Sequence, residues 1–174
     1  MALMQKPAGE KGSIIETVVA ERQKSRVEAI ERQISTLQER VSDARLADAD
    51  TERLAMAVVH AEKEFESWQV GGKKDLVKLS KVEGTLHGVE VELERITSFI
   101  RKKPDEIEAL QESILELDLT DKKVKKWVEK THVRLSRLRT AAAEMEGVGF
   151  SEKRAREIEK EVAEIKAKMD EYRR

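Results

Sequence analysis

Apolar residues recur at alternating three- and four-residue steps along most of this chain, and that period limits its fold more than any other feature. Such a stripe is satisfied by α-helices packed through narrow seams, and leaves little room for strands or for a cleft. The first stretch reads Val27, Ile30, Ile34, Leu37, Val41 and Ala44, and resumes as Ala47, Thr51, Leu54, Val58, Ala61, Phe65 and Trp68. An extra three-residue step separates Ala44 from Ala47, beside Asp43, Asp48 and Asp50, so the seam is weakest over 44–51. A second stretch runs from Leu76 through Leu79, Val82, Leu86, Val89, Leu93, Ile96 and Ile100. It continues in phase through Ile107, Leu110, Ile114, Leu117, Val124, Val128, Leu135, Leu138 and Met145. The last carries Ala155, Ile158, Val162, Ile165, Met169 and Tyr172.

Local signals divide the stripe. Ser13 with Glu16 has the spacing of a capping box and predicts a helix start, which leaves residues 1–12 as a disordered leader. Gly71-Gly72 and the segment Gly147-Val148-Gly149-Phe150-Ser151 predict turns, with Ser151 an N-cap. Pro104 interrupts the middle stretch without shifting its phase, so it is read as a kink in one helix, the alternative being a first helical position after a short corner; Thr120 offers a second point of breakage. The expected fold is therefore all-α: one elongated coiled-coil domain over 13–174, with helices at about 13–70, 74–146 and 152–174. The first and third helices would fold back as hairpins along a central rod of about 110 Å at 1.5 Å per residue. Gly84 and Gly88, four apart on that rod, mark a close helix approach or a soft spot.

The remaining composition argues in the same direction. Charged residues make up 40% of the chain and aromatics 3%, a balance suited to long solvated helices. A formal charge of −1 sets no bulk preference for a polyanion, and without cysteine there is no disulfide or thiolate chemistry. No apolar run is long enough to span a bilayer, and Met1 to Gly12 lacks the apolar core of a signal peptide. A cytoplasmic protein is expected.

Nothing in the sequence points to catalysis. His60, His87 and His132 are scattered, and Gly147-Val148-Gly149 lacks the lysine and hydroxyl of a phosphate loop. No catalytic residue, metal site, cofactor or small-molecule substrate is expected.

Charge is the sharper feature. Residues 105–121 carry Asp105, Glu106, Glu108, Glu112, Glu116, Asp118 and Asp121 and no base, a net −7. Residues 122–139 carry Lys122, Lys123, Lys125, Lys126, Lys130, Arg134, Arg137 and Arg139 against Glu129 alone, a net +7. On the expected layout the acidic block faces residues 22–38, with Arg22, Lys24, Arg26 and Arg32, and the basic block is left unneutralised within the chain. Three readings follow. Two chains cross antiparallel near Asp121, acid on base. Alternatively, the basic helix with Trp127 engages nucleic acid or an anionic lipid surface. The plainest is a solvated face with Trp127 packed at a helix junction. The expected function is a structural scaffold, spacer or adaptor, with protein partners along helical seams in a homo-oligomer or larger complex; a polyanion-binding module is the alternative.

Overall fold

A computed structural model describes residues 10–44, 48–71 and 75–174; of residues 10–16, 48 and 49 it describes the backbone alone. The fold is all-helical: α1 spans Glu10–Asp43, α2 Asp48–Val70, α3 Leu76–Leu115, α4 Lys122–Val148 and α5 Glu152–Tyr172. The apolar stripe becomes the core almost residue for residue, from Ile30, Leu37 and Val58 through Leu86, Ile114 and Leu135 to Ile165, all buried.

The arrangement differs from three helices along one rod. The first expected helix is two, divided where the seam falters. α1 begins at Glu10, so Ser13 lies inside it rather than at its cap; the side chains of that capping box, and residues 1–9 of the expected leader, lie outside the described residues. Gly72 of the first predicted turn also lies outside them. α2 ends at Val70, and the Trp68 indole closes the α2–α3 corner by donating to the Asp75 carbonyl at 2.9 Å. Asp75 caps α3, its carboxylate accepting from the Val77 amide at 2.8 Å.

The expected central helix over 74–146 is likewise two. α3 runs through Pro104 without ending, although a proline has no N–H to give the Ile100 carbonyl. It stops at Leu115 instead, where short aspartate side chains offer the backbone other partners. Asp118 accepts from the Thr120 amide at 3.0 Å and Asp121 from the Lys123 amide at 2.6 Å, so Asp121, not Thr120, is the α4 cap. The chain reverses there. Leu117 and Val124 stay in heptad phase across this turn because each flanking helix rotates independently to face the core.

Side-chain pairings give the topology. Gln38–Glu62 and Gln69–Glu31 set α1 antiparallel to α2, and Lys81–Glu64 and Arg53–Glu92 set α2 antiparallel to α3. Arg139–Glu108 and Gln111–Ser136 do the same for α3 and α4, as Arg134–Glu161 does for α4 and α5. The parallel pairs share one spacing: Arg26–Glu83 and Gln33–Glu90 tie α1 to α3, and Arg95–Glu152 ties α3 to α5, each 57 residues apart. The molecule is thus two three-helix bundles in series. α1, α2 and the first half of α3 form one; the second half of α3 with α4 and α5 forms the other. α3, about 60 Å long at 40 residues, is common to both.

Gly149 ends α4 at φ 110°, a left-handed conformation that favours glycine. This lets Phe150 turn inward, fully buried, its ring edge-on to Phe99 at 5.6 Å. Gly84 and Gly88 have open space around the position of a side chain, which makes them soft spots in α3 rather than points of close approach.

Candidate functional site

The turn at 116–121 folds the basic block back on the acidic block within one chain. Arg139 meets Glu108 at 2.9 Å, while Gln111 reaches Ser136 at 2.8 Å and the His132 ring at 3.1 Å. Of the acids, Glu106 takes Lys103 at 2.8 Å, Glu116 takes Arg173 at 3.9 Å, and Asp118 and Asp121 cap the turn. The backbone bond from Thr120 holds the Asp118 carboxyl below the usual range. Glu112 and Asp105 are exposed, Asp105 on the rim of a groove described below. The acidic block does not face residues 22–38: Arg26 forks onto Glu83 instead, with a further bond to Ser80, and Arg32 donates to the Glu28 carbonyl. Hydrogen bonding by Arg26 draws the Glu83 pKa down.

The basic block is divided by its partners. Arg134 is held by Glu161 at 2.6 Å and Glu164 at 3.6 Å, and Arg139 by Glu108. Lys122, Lys123, Lys125, Lys126, Lys130 and Arg137 are exposed and pair with no described residue. They begin at the N-terminal end of α4, where the helix dipole disfavours cations, so that end is more positive than its residue count implies. Trp127 is half-buried with its ring 5.2 Å from Tyr172, committed to the α4–α5 interface rather than presented to a partner.

A second cluster sits at the joint between bundles, and heptad reasoning does not reveal it. Ser151 occupies the α5 cap position but makes no capping bond; the Glu152 amide donates instead to Asp50 of α2 at 3.0 Å. Arg53 spans Asp50 at 3.9 Å and Glu92 at 3.0 Å; Arg95 spans Glu92 at 3.3 Å and Glu152; Arg156 closes on Glu152 at 2.7 Å. Burial pushes the Glu92 carboxyl up, but bonds from Arg95 and Arg53 outweigh it and hold the group below its usual range. Burial likewise lowers Arg95, and its bonds to Glu92 and Glu152 reverse the sign. The Arg95 guanidinium also lies 5.7 Å from the Phe150 ring centre, and Lys103 lies 5.6 Å from that of Phe99. The only sequence hint is acid near two helix starts, Asp50 and Glu152, which is common wherever helices begin.

On the other side of α3, the ends of α1 and α4 leave a groove of about 570 Å³ lined by Ala44, Ile96, Ile100, Pro104, Ala143 and Glu146. Among the described residues no three His, Asp or Glu side chains gather to hold a metal, and no helix is long and apolar enough to cross a membrane. His60 touches Glu64 one turn on, at 3.4 Å. Protein-family models, curated proteins and solved structures contain no match to the chain.

Proposed function

We propose that this chain is a non-catalytic cytoplasmic spacer or scaffold that joins a larger protein assembly, with a second copy of itself as one partner. The observation carrying the reading is an apolar end that is exposed among the described residues. The 57-residue offset puts Val18 and Val19 of α1 toward the start of α3, and Val70 ends α2 at the α2–α3 corner, on the same end of the bundle. There Val18, Val19, Val70, Leu76 and Val77 are all exposed, Val70 at 88% and Val77 at 77%. Apolar side chains gathered at one end of a charged surface mark a protein contact. Burying five per copy at roughly 1 kcal/mol each gives on the order of 10 kcal/mol for a twofold pair. Association entropy costs about 4–15 kcal/mol, so the expected dimer is weak. Sedimentation between about 10 and 200 μM, a range suited to micromolar affinity, tests it. The mass should climb from 19.9 kDa toward twice that value and stay monomeric in Val70→Glu/Val77→Glu. A wild type that holds 19.9 kDa throughout contradicts self-association.

A second reading rests on the unpaired lysines. Lys122, Lys123, Lys126, Lys130 and Arg137 lie on the outer face of α4, opposite the seam of Val124, Val128, Leu135 and Leu138, and suit a polyanion such as nucleic acid or an anionic lipid surface. Retention on DNA, RNA or acidic vesicles at about 50 mM salt, lost when Lys122, Lys123, Lys125 and Lys126 become Glu, supports it. No retention removes it.

A further inference from the structure

We infer that the cleft between the second half of α2 and the start of α3 is a binding site for inorganic phosphate, with Lys63, Lys78 and His60 taking its charge and Glu64 accepting from its P–OH.

Two helix faces in register build the cleft. On α2, His60, Lys63, Glu64 and Ser67 stand three and four residues apart and so share one face. Lys78 and Lys81, three apart, share a face of α3. Arg53–Glu92 and Lys81–Glu64 set these helices antiparallel, which puts Ser67 level with Lys78. The six side chains line a cleft of about 320 Å³, at the small end of the range of about 300–1,000 Å³ found for small-molecule sites.

The charges of the lining do not cancel. Lys81 is answered by Glu64 at 2.7 Å, and His60 lies 3.4 Å from the same carboxylate oxygen, Oε1. Lys63 and Lys78 have no acid partner among the described residues, and Glu66, the next acid on α2, is not part of the lining. Three ammonium groups and an imidazole thus surround one carboxylate. An anion entering the cleft meets Lys63 and Lys78 without displacing an ion pair, and the Ser67 hydroxyl offers one more donor. The cleft shares no residue with the exposed apolar end or with the basic face of α4, so it rests on neither of those readings.

Glu64 narrows the ligand. The bond from Lys81, helped by the charges of Lys81, His60 and Lys78, holds its carboxyl below the usual range, so the group is ionised and can only accept. Its second oxygen, Oε2, is closed to solvent and has no hydrogen-bond donor among the described residues. A buried acceptor without a donor is costly, and rotation about the broad terminal torsion of a glutamate exchanges its two oxygens. A donor arriving from the cleft therefore satisfies the carboxylate. At neutral pH inorganic phosphate brings both properties, negative charge for the lysines and an O–H for Glu64. Sulfate has the same tetrahedral shape but no proton, and a phosphate monoester above its second pKa of about 6 has none either.

The ring resonances of the three histidines read the site directly, with His60→Gln assigning the His60 signal. The wild-type chain is titrated with sodium phosphate at constant ionic strength and about pH 7.5, above the second pKa of an ester. Phosphate should move the His60 signal saturably, with a Kd on the order of 1 mM, and leave His87 and His132 in place. Sulfate and glycerol 3-phosphate should bind about tenfold or more weakly, because each lacks one charge-assisted bond. Lys63→Ala/Lys78→Ala should weaken phosphate by a similar factor, whereas Lys122→Ala/Lys126→Ala on α4 should change nothing. Glu64→Gln replaces an obligate acceptor by a side chain that also donates, so this variant should take sulfate as well as phosphate. Circular dichroism checks that each variant keeps its helices. The site is overturned if the His60 signal does not saturate, or if the wild type takes sulfate or the ester as tightly as phosphate. Retention of the phosphate preference in Glu64→Gln, or an equal loss in the α4 variant, overturns it as well.

Discussion

Replacing Phe150 by alanine separates the two-bundle fold from any arrangement in which residues 147–151 form a plain surface turn. Phe150 follows a glycine turn, yet it is fully buried, packs edge-on to Phe99 and lies beneath the Arg95 guanidinium. Truncating a buried phenylalanine costs about 3–5 kcal/mol, of which the aromatic pair accounts for roughly 0.5–1.5. In a chain of this length each kcal/mol lowers the melting temperature by about 2–4 °C, so Phe150→Ala should melt about 6–20 °C below wild type. Urea denaturation followed by circular dichroism supplies the free energy, with Val148→Ala as the internal control. Val148 is 79% exposed and should change stability by less than about 0.5 kcal/mol. If the two variants lose the same small amount, Phe150 does not fill the space between α3 and the α4–α5 corner, and the packing described for the joint is wrong.

Further tests follow from single residues. Gly84→Ala and Gly88→Ala fill open space on α3 and should each stabilise the protein by about 0.5–1 kcal/mol in the same urea assay; a loss at either site would mean that a helix approaches closely there. Asp121→Ala removes the α4 cap and should cost about 1 kcal/mol, whereas no loss would place the helix start elsewhere. The Glu92 carboxyl is held below its ordinary range, so its contribution is full above about pH 4.3 and is lost as pH falls through the lower folded value. The stability gap between wild type and Glu92→Gln should therefore narrow on acidification, and a gap independent of pH contradicts the pairing with Arg95 and Arg53.

Core positions were readable from the sequence because burial in a helical bundle is a matter of period. Leu79, Leu86, Val128 and Ile158 are all buried where the stripe puts them. Connectivity was not. A heptad phase says which face a residue occupies and nothing about which way the chain runs, so Leu117 and Val124 stay in phase across a reversal. The turn was signalled by Asp118 and Asp121, yet they stand at the end of a block of seven acids over 105–121, where two capping side chains do not stand out from solvated charge. At the joint, α3 exchanges α1 and α2 for α4 and α5, and its buried stripe shifts to Phe99 while Ile100 is only half-buried. The two charge blocks were plain in the sequence, but their meeting within one chain depends on that same reversal. The Asp50–Glu152 contact joins residues 102 apart and has no local signal at all.

The reversal at 116–121 is the claim on which the bundles, the paired charge blocks and the joint all depend. One distance tests it most directly: the separation of spin labels at Asp105→Cys and Thr140→Cys, both exposed. With α4 folded back on α3, the labelled backbones lie about one interaxial distance apart, 8–10 Å, and the spectrum should show strong dipolar broadening. An unbroken helix from 74 to 146 would hold the same labels about 50 Å apart at 1.5 Å per residue, and a distance near that value would contradict the fold.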